Sequence, residues 1–214
     1  MKKENAKKRL QQLLQHDQSF LDRGFVSLAG VDEAGRGPLA GPVVASAVIV
    51  RDFSFSSQID DSKKMSAGSR RTAFDEIFKK CVVGVSIVEQ ETIDRVNILE
   101  ATLLAMQEAI GKLGEKPGCV LIDGPKAPRL NLRHFTIVDG DALSFSIACA
   151  SIVAKVTRDA LMEDYDALYP EYGFKKHKGY GTQEHMQALQ KHGPCKIHRK
   201  SFEPVRKYAN PLNH

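Results

Sequence analysis

Several features are missing from this 214-residue sequence, and each absence excludes a class of protein. The chain has no tryptophan and only four cysteines, which lie far apart and form no CxxC pair. This spacing argues against a disulfide framework or a zinc site of closely spaced thiols, and it predicts reduced, structural cysteines. No apolar stretch is long enough for a signal peptide or a membrane span, so we expect a cytoplasmic protein without membrane contact.

The common glycine-rich nucleotide-binding motifs are also missing. No G-x-x-x-x-G-K-[ST] sequence occurs, which excludes a P-loop. The segment "GRGPLAG" at 35–41 spaces its glycines differently from a dinucleotide-binding fingerprint, and a strand-like segment follows it instead of a helix. We interpret it as a backbone turn that can approach a sugar-phosphate closely, with Arg36 supplying positive charge.

The composition is that of a soluble globular protein, with 42% hydrophobic and 27% charged residues. The net charge of +5 fits an anionic partner such as nucleic acid, and it fits plain solubility equally well. Charge alone therefore leaves both interpretations open.

The order of predicted elements indicates an α/β domain with a mixed sheet and a helical C-terminal part. Strand-like segments lie at 26–33, 43–50, 82–88, 119–123 and 135–138. Helical patterns lie around Leu10, at 70–80 behind a Ser66 cap, from Asn97 to near Gly114, at 142–168, and between Thr182 and Gly193.

Acidic residues follow three of the five predicted strands. Asp32 and Glu33 end the first strand, Asp123 ends the fourth, and Asp139 and Asp141 follow the fifth. Taken singly, they are ordinary strand-end turns or, for Asp141, a helix cap. Ligands of α/β sheets bind beyond strand ends where the strand order switches, so we expect several of these carboxylates to converge.

Converging carboxylates repel one another unless cations neutralise them. Oxygen ligands without nearby His or Cys suit Mg²⁺ or Mn²⁺. Two such ions about 4 Å apart can promote hydrolysis of a phosphodiester. One condition applies to Asp32 and Glu33: neighbours in a regular strand point to opposite faces, so both can serve one site only if the strand ends there.

Six sequence blocks, in order, closely resemble the bacterial ribonuclease HII family, the type 2 ribonucleases H. They are "VDEAGRGPLAGPVV" at 31–44, "DDSKKMS" at 60–66, "LIDG" at 121–124, "GD…SIACASIVAKVTRD" from 140 to 159, "YPEYGFKKHKGYGT" at 169–182 and "HRKSF" at 198–202. The resemblance implies a ribonuclease H-like mixed five-stranded sheet flanked by helices. It also implies an N-terminal helical extension (1–25), a catalytic domain (26–168) and a C-terminal helical substrate-binding part (169–214).

The resemblance further implies an endoribonuclease that hydrolyses the RNA strand of RNA–DNA hybrids. Such enzymes also cut on the 5′ side of single ribonucleotides in duplex DNA, leaving 3′-hydroxyl and 5′-phosphate ends. The cofactor would be Mn²⁺ or Mg²⁺, two ions per site with substrate, and we expect a monomer. Fewer residues precede Asp32 than the N-terminal substrate-binding domain of ribonuclease HIII requires, which favours the HII type.

By their positions in these motifs, four residues resemble the catalytic and metal-binding acids of the family: Asp32, Glu33, Asp123 and Asp141. The turn of Gly35, Arg36 and Gly37, together with Tyr180, resembles the family's reader of the ribose 2′-hydroxyl group, and Lys63 is a candidate phosphate contact. A 2′-hydroxyl distinguishes RNA from DNA, backbone groups can hydrogen-bond it, and an aromatic ring can stack on the next sugar. A tyrosine that merely packs in a turn is the alternative for Tyr180.

Other polar residues have weaker claims to a role. Asp159 is interpreted as a structural ion-pair residue, with Arg158 or the basic tail as its partner. His177, His185, His192 and His198 are expected at the surface or near phosphates. Ser151 and Lys155 are left outside the site. Asp139 stands where the family often has lysine, which places a negative charge near the expected metals.

Two rival functions remain open at this level. One is a nuclease of the same fold that acts on DNA alone, and the other is a hybrid-binding protein without catalysis. The turn and Tyr180 argue against the first, and the presence of all four acids argues against the second.

Overall fold

The computed structural model of the chain describes residues 2–209. Residue 1 of the predicted N-terminal extension and residues 210–214 of the predicted C-terminal part lie outside the described residues. The strands are β1 (Leu28–Ala34), β2 (Val43–Val50), β3 (Cys81–Val88), β4 (Cys119–Asp123) and β5 (His134–Ile137). The helices are α1 (Lys2–Leu21), α2 (Ala67–Lys80), α3 (Gln90–Val96), α4 (Ile98–Gly111), α5 (Phe145–Leu168), α6 (Phe174–His177), α7 (Gln183–His192) and α8 (Val205–Ala209), and a 3-10 turn spans Gly140–Ala142.

The five strands form one mixed sheet in the order β3-β2-β1-β4-β5. Strand β2 pairs antiparallel with both β1 and β3, whereas β4 pairs parallel with both β1 and β5. The predicted α/β fold with a mixed five-stranded sheet is therefore confirmed. Strand β1 separates the antiparallel half from the parallel half, which makes its carboxyl end the expected place for a ligand.

Helices α4 and α5 cover opposite faces of the sheet. Successive side chains of a strand point to opposite faces, so Ala29 and Val31 of β1 pack in the core with α4, whereas Gly30 faces α5. A Cβ atom at Gly30 would lie 2.1 Å from the backbone carbon of Ser146 in α5. The backbones of β1 and α5 therefore touch directly, and no side chain separates them.

The predicted helix caps are present. The side chain of Ser66 accepts a hydrogen bond from Ser69 N, and that of Thr182 accepts one from His185 N. The side chain of Asn97 accepts hydrogen bonds from the first turn of α4. The short helix α3 has no counterpart among the predicted helices, because seven residues are too few to show a helical repeat.

The four cysteines are free, as predicted. Burial raises the pKa of Cys81 to about 12 and that of Cys195 to about 11, which makes both poor nucleophiles. Over residues 2–209, no helix combines the length and the apolar character needed to cross a membrane.

Three buried histidines form part of the core of the C-terminal region, so the expectation that they lie at the surface is wrong. His177 is 8% exposed, His185 is fully buried and His198 is 1% exposed, whereas His192 is exposed as expected. The rings of His177 and His185 stack with their centroids 4.6 Å apart. Burial is possible because each ring nitrogen of the two innermost histidines has a hydrogen-bond partner.

The histidine hydrogen bonds form a relay with one direction. The N–H group of Cys195 donates to Nδ1 of His198, so the proton of that ring lies on Nε2. This Nε2 faces Nε2 of His185 at 3.0 Å, and His185 Nδ1 in turn donates to the carbonyl oxygen of Tyr180 at 2.9 Å. Adding a proton to either ring turns an acceptor into a donor and breaks the relay.

Acidification is therefore expected to destabilise the C-terminal region. Burial lowers the pKa of His185 to about 4 and that of His198 to about 3, from an ordinary value of 6.5. At a pH between 6.5 and these lowered pKa values, the two histidines bind protons in the unfolded chain but not in the folded one. Their contribution to stability is therefore lost as the pH falls from about 6.5 toward 3. Chemical denaturation at several pH values measures the slope.

A matched pair of variants isolates this effect. His198→Asn should flatten the pH dependence, while His192→Asn, an identical change at an exposed position, should leave it unchanged. The comparison between variants is needed because burial raises the pKa of several carboxyl groups of the protein, which contributes with the opposite sign. Equal slopes for the two variants would show that His198 is not the titrating group.

Candidate active site

Four acidic residues come together at the carboxyl end of β1 and β4. Asp32 and Glu33 belong to β1, Asp123 ends β4, and Asp141 lies in the 3-10 turn before α5. Asp32 is 4% exposed and Asp141 is 5% exposed. The N–H group of Gly140 donates to Asp123 Oδ1 at 2.7 Å, which ties the 3-10 turn to β4.

Strand β1 does not end at Asp32 and Glu33, although the sequence analysis required it to end there for both acids to serve one site. It stays paired with β2 as far as Ala34, whereas its parallel ladder with β4 ends at Val31. Asp32 therefore lies on the α5 side and Glu33 on the α4 side, in keeping with strand alternation. The side chains of Asp32 and Glu33 still line one cleft. Strand β4 is no longer paired with β1 beyond Val31, so it does not separate the two faces of the sheet there.

The acids repel one another. Burial raises the pKa of Asp32 well above its usual range, and the charges of Glu33 and Asp123 raise it further. Burial also raises the pKa of Asp123, with the charge of Asp141 adding to it and the Gly140 N–H group opposing it. The pKa of Glu33 is raised mainly by burial, although nearby Arg36 counteracts this. Such a cluster favours a bound cation.

The donor set suits a hard divalent ion, since carboxylate oxygens are the ligands of Mg²⁺ and Mn²⁺. Within residues 2–209, no three His, Cys, Asp or Glu side chains are arranged to hold a metal ion by themselves. The acids therefore fit an ion that takes one or two carboxylates and completes its coordination with water and substrate phosphate, as Mg²⁺ commonly does.

Lys63 places a positive charge at the edge of this cluster. Its Nζ atom lies 3.2 Å from Asp141 Oδ2, while 78% of its side chain remains exposed. Burial opposes this charge, but the carboxylates of Asp141 and Asp32 raise the pKa of Lys63. The ammonium group is thus both charged and accessible to a phosphate.

Two buried arginines hold the glycine-rich turn through its carbonyl groups. Arg199 is fully buried and Arg158 is 1% exposed. Arg199 donates to the carbonyl oxygens of Gly35, Arg36, Pro38, Gly41 and Pro42. Arg158 donates to those of Ala40, Pro42 and Lys178. Burial lowers the pKa of Arg158 to about 10 and that of Arg199 to about 9, so both stay charged near neutral pH.

The turn requires glycine at its first position. Gly35 has φ +100°, and a Cβ atom there would lie 2.1 Å from Arg158 Nε. Arg36 projects from the turn, with Nη1 3.3 Å from Glu33 Oε1 and about half of its side chain exposed. The turn is thus fixed from beneath by two buried cations and presents its backbone to the cleft.

Tyr180 lies beside this turn with its ring accessible. It is 47% exposed, and a Cβ atom at Gly37 would lie 3.4 Å from its Cε1 atom. The hydrogen bond from His185 holds its carbonyl group, as described above. The backbone is therefore anchored while about half of the residue's surface remains exposed.

Eight of the nine predicted site residues line one cleft of about 480 Å³. They are Asp32, Glu33, Asp123, Gly35, Arg36, Gly37, Lys63 and Tyr180. The ninth, Asp141, is joined to the cleft by its ion pair with Lys63.

The cleft also contains residues that sequence reasoning left out. Ser151, Lys155 and Arg158 of α5 line it, and Ser151 Oγ lies 2.9 Å from Ser62 Oγ. Their spacing of four and then three residues puts them on one face of a helix, a signal that was available in the sequence. Asp159 does form an ion pair, but its partner is Lys155 at 2.7 Å, not Arg158 or the tail.

Comparisons with known proteins find one matching family, similar sequences and a similar solved structure. The family model described as "Ribonuclease HII" matches residues 29–205. The chain is 48% identical to the ribonuclease HII of Ruminiclostridium cellulolyticum over 94% of its own length and 79% of that protein. It is 54% identical to that of Syntrophus aciditrophicus over 84% and 85%, respectively. A solved structure, the ribonuclease H2 from Pyrococcus horikoshii, superposes with a TM-score of 0.72 at 26% identity, over 86% of this chain and 97% of that one.

Proposed function

The chain belongs to the ribonuclease HII family, and from this premise we propose a specific reaction for its acidic cleft. As an enzyme of this family it is an endonuclease that hydrolyses RNA in RNA–DNA hybrids. The proposed finer activity is cleavage on the 5′ side of single ribonucleotides in duplex DNA, leaving 3′-hydroxyl and 5′-phosphate ends. The observation that carries it is the group of three acids in the cleft, with Asp141 joined to it through Lys63, beside a fixed glycine turn and a half-exposed tyrosine.

In the proposed mechanism, Asp32, Glu33, Asp123 and Asp141 would hold two Mg²⁺ or Mn²⁺ ions. When bound, these ions would supply activation of the attacking water and stabilisation of the leaving 3′-oxygen. The mutual repulsion of the acids supports this assignment, because a bound cation relieves it. Lys63 contributes a positive charge for a neighbouring phosphate.

We propose that the turn of Gly35, Arg36 and Gly37 reads the ribose 2′-hydroxyl group. Arg158 and Arg199 bind the carbonyl groups of the turn from below, which keeps its backbone in place before substrate arrives. A backbone that is already ordered loses little entropy on binding. Residues 169–214 are proposed to form the substrate-binding part, and the monomeric state stays a prediction.

One cleavage assay with three duplexes tests the proposal. A duplex with one ribonucleotide, a continuous RNA–DNA hybrid and an all-DNA duplex are incubated with Mg²⁺ or Mn²⁺, and the cut is mapped. We expect cleavage of the first two only, on the 5′ side of the ribonucleotide in the first. Cleavage of the all-DNA duplex would favour a DNA nuclease, and binding without cleavage would favour a hybrid-binding protein.

Tyr180→Ala is expected to impair cleavage at a single ribonucleotide more than cleavage of a continuous hybrid. Stacking on the sugar that follows the ribonucleotide is worth about 1–3 kcal/mol, so the rate at a single ribonucleotide should fall about tenfold or more. Both substrates are assayed side by side, with circular dichroism as a folding control. Tyr180→Phe keeps the ring and should retain most of the activity. An equal loss on both substrates would assign Tyr180 a structural role.

A further inference from the structure

Helix α1 contacts both loops that carry charged groups of the cleft. The family model matches from residue 29 onward, so this helix lies outside the matched region. Arg9 Nε donates to Asp60 Oδ1 at 2.9 Å, and Arg9 Nη2 donates to the carbonyl oxygen of Ala142 at 2.7 Å. One guanidinium group thus joins the loop that leads to Lys63 to the residue that follows Asp141.

A second residue of α1 holds the start of α5. The carboxylate of Asp17 is 3% exposed. Its Oδ1 atom accepts a hydrogen bond from Ser144 Oγ at 2.6 Å, and its Oδ2 atom accepts one from Ser146 N at 2.8 Å. Ser144 is the N-cap of α5, so Asp17 completes the cap from another helix and adds a negative charge where the helix dipole favours it.

The two loops held by α1 meet in the active site. Lys63, three residues after Asp60, pairs with Asp141, one residue before Ala142. Ser62 of the same loop contacts Ser151 of α5, and Ser151 lines the cleft together with Asp32. The residues that α1 contacts are therefore separated by only one to a few positions along the sequence from charged residues of the active site.

We propose that α1 is a positioning element of the active site, in which Arg9 and Asp17 set the places of Lys63 and Asp141. The inference rests on the proposed function, since it concerns the geometry of the same acids. Neither residue lines the cleft, and each contacts one side chain and one backbone group of the segments that carry the charged residues. A shift of about 1 Å in a reacting group can cost about 100-fold in rate, so loss of either contact should be visible in catalysis.

Two variants and two matched controls test this inference. Asp17→Asn replaces one of the two acceptor oxygens with an amino group and Arg9→Gln removes the guanidinium group, whereas Asp22→Asn and Lys8→Gln remove charges of the same signs at exposed positions. On the continuous hybrid we expect kcat to fall about 10- to 100-fold for the first pair, with KM little changed. Hydrogen exchange at the amides of residues 140–146, measured without metal or substrate, should become faster in the same two variants.

The outcomes separate this inference from the proposed function. If kcat and amide exchange in the first pair match the controls, α1 is not a positioning element. If Asp17→Asn does not fold, Arg9→Gln decides alone, because Arg9 is less buried, with 26% of its side chain exposed. A wild-type protein that cuts neither ribonucleotide-containing duplex would refute the proposed function, and the exchange measurement would still decide the role of α1.

Discussion

Asp32→Asn should abolish cleavage and at the same time stabilise the fold. The amide keeps the shape of the side chain but removes the negative charge that a metal ion needs, while binding of the hybrid is retained. Because burial and neighbouring acids raise the pKa of Asp32, its ionised form is unfavourable in the folded state at neutral pH. Removing that charge should therefore raise the melting temperature when no metal is present.

Cleavage rates with excess metal and thermal unfolding in a chelator measure the two effects. Asp22→Asn, the same change at an exposed position, is the control for both. If the variant keeps more than about a tenth of the wild-type rate, an effect of only about 1.4 kcal/mol, Asp32 is not a metal ligand. A melting temperature below that of the control would argue against repulsion among the acids.

Arg199→Met should lower the free energy of unfolding by about 3 kcal/mol or more. Methionine fills a similar volume but leaves the carbonyl groups of the turn without their donor, and each unsatisfied buried group costs about 1–3 kcal/mol. Cleavage should fall as well, because the turn of Gly35 to Gly37 loses its support. Urea unfolding measures the stability change.

Lys200→Met is the matched control, since the next residue along the chain is exposed. The turn can relax in part after the substitution, and Pro42 keeps its hydrogen bond from Arg158. A stability equal to that of the Lys200→Met protein would mean that solvent replaces Arg199 without cost. In that case the turn is ordered by other contacts.

The acids were predictable because each lies at or shortly after the end of a strand, and strands leave a clear apolar pattern. The same reasoning placed five strands and the long helix close to their observed bounds. The roles of Arg199 and Asp17 were not predictable in this way. Arg199 lies 164 residues from its partner Gly35, and its partners are carbonyl groups, which every residue carries.

The buried histidines show a different limit of sequence reasoning. His185 and His198 stand in a basic segment, where a surface position is the usual outcome. Their burial depends on a relay of hydrogen bonds that fixes one tautomer for each ring. Such a relay requires the fold to be known first, because it joins segments that the sequence presents only as separate polar stretches.

The direct contact at Gly30 has a consequence for the tolerance of the site. Where side chains separate a helix from the sheet, they can change rotamer, and their packing sets the spacing only approximately. At Gly30 the spacing between β1 and α5 is set by backbone atoms, whose bond lengths and angles hardly vary with temperature or neighbouring substitutions. Asp32 lies two residues along β1 and Ser151 lies five residues along α5 from this contact. Repacking the surrounding core to gain thermal stability should therefore leave the separation of these two residues unchanged.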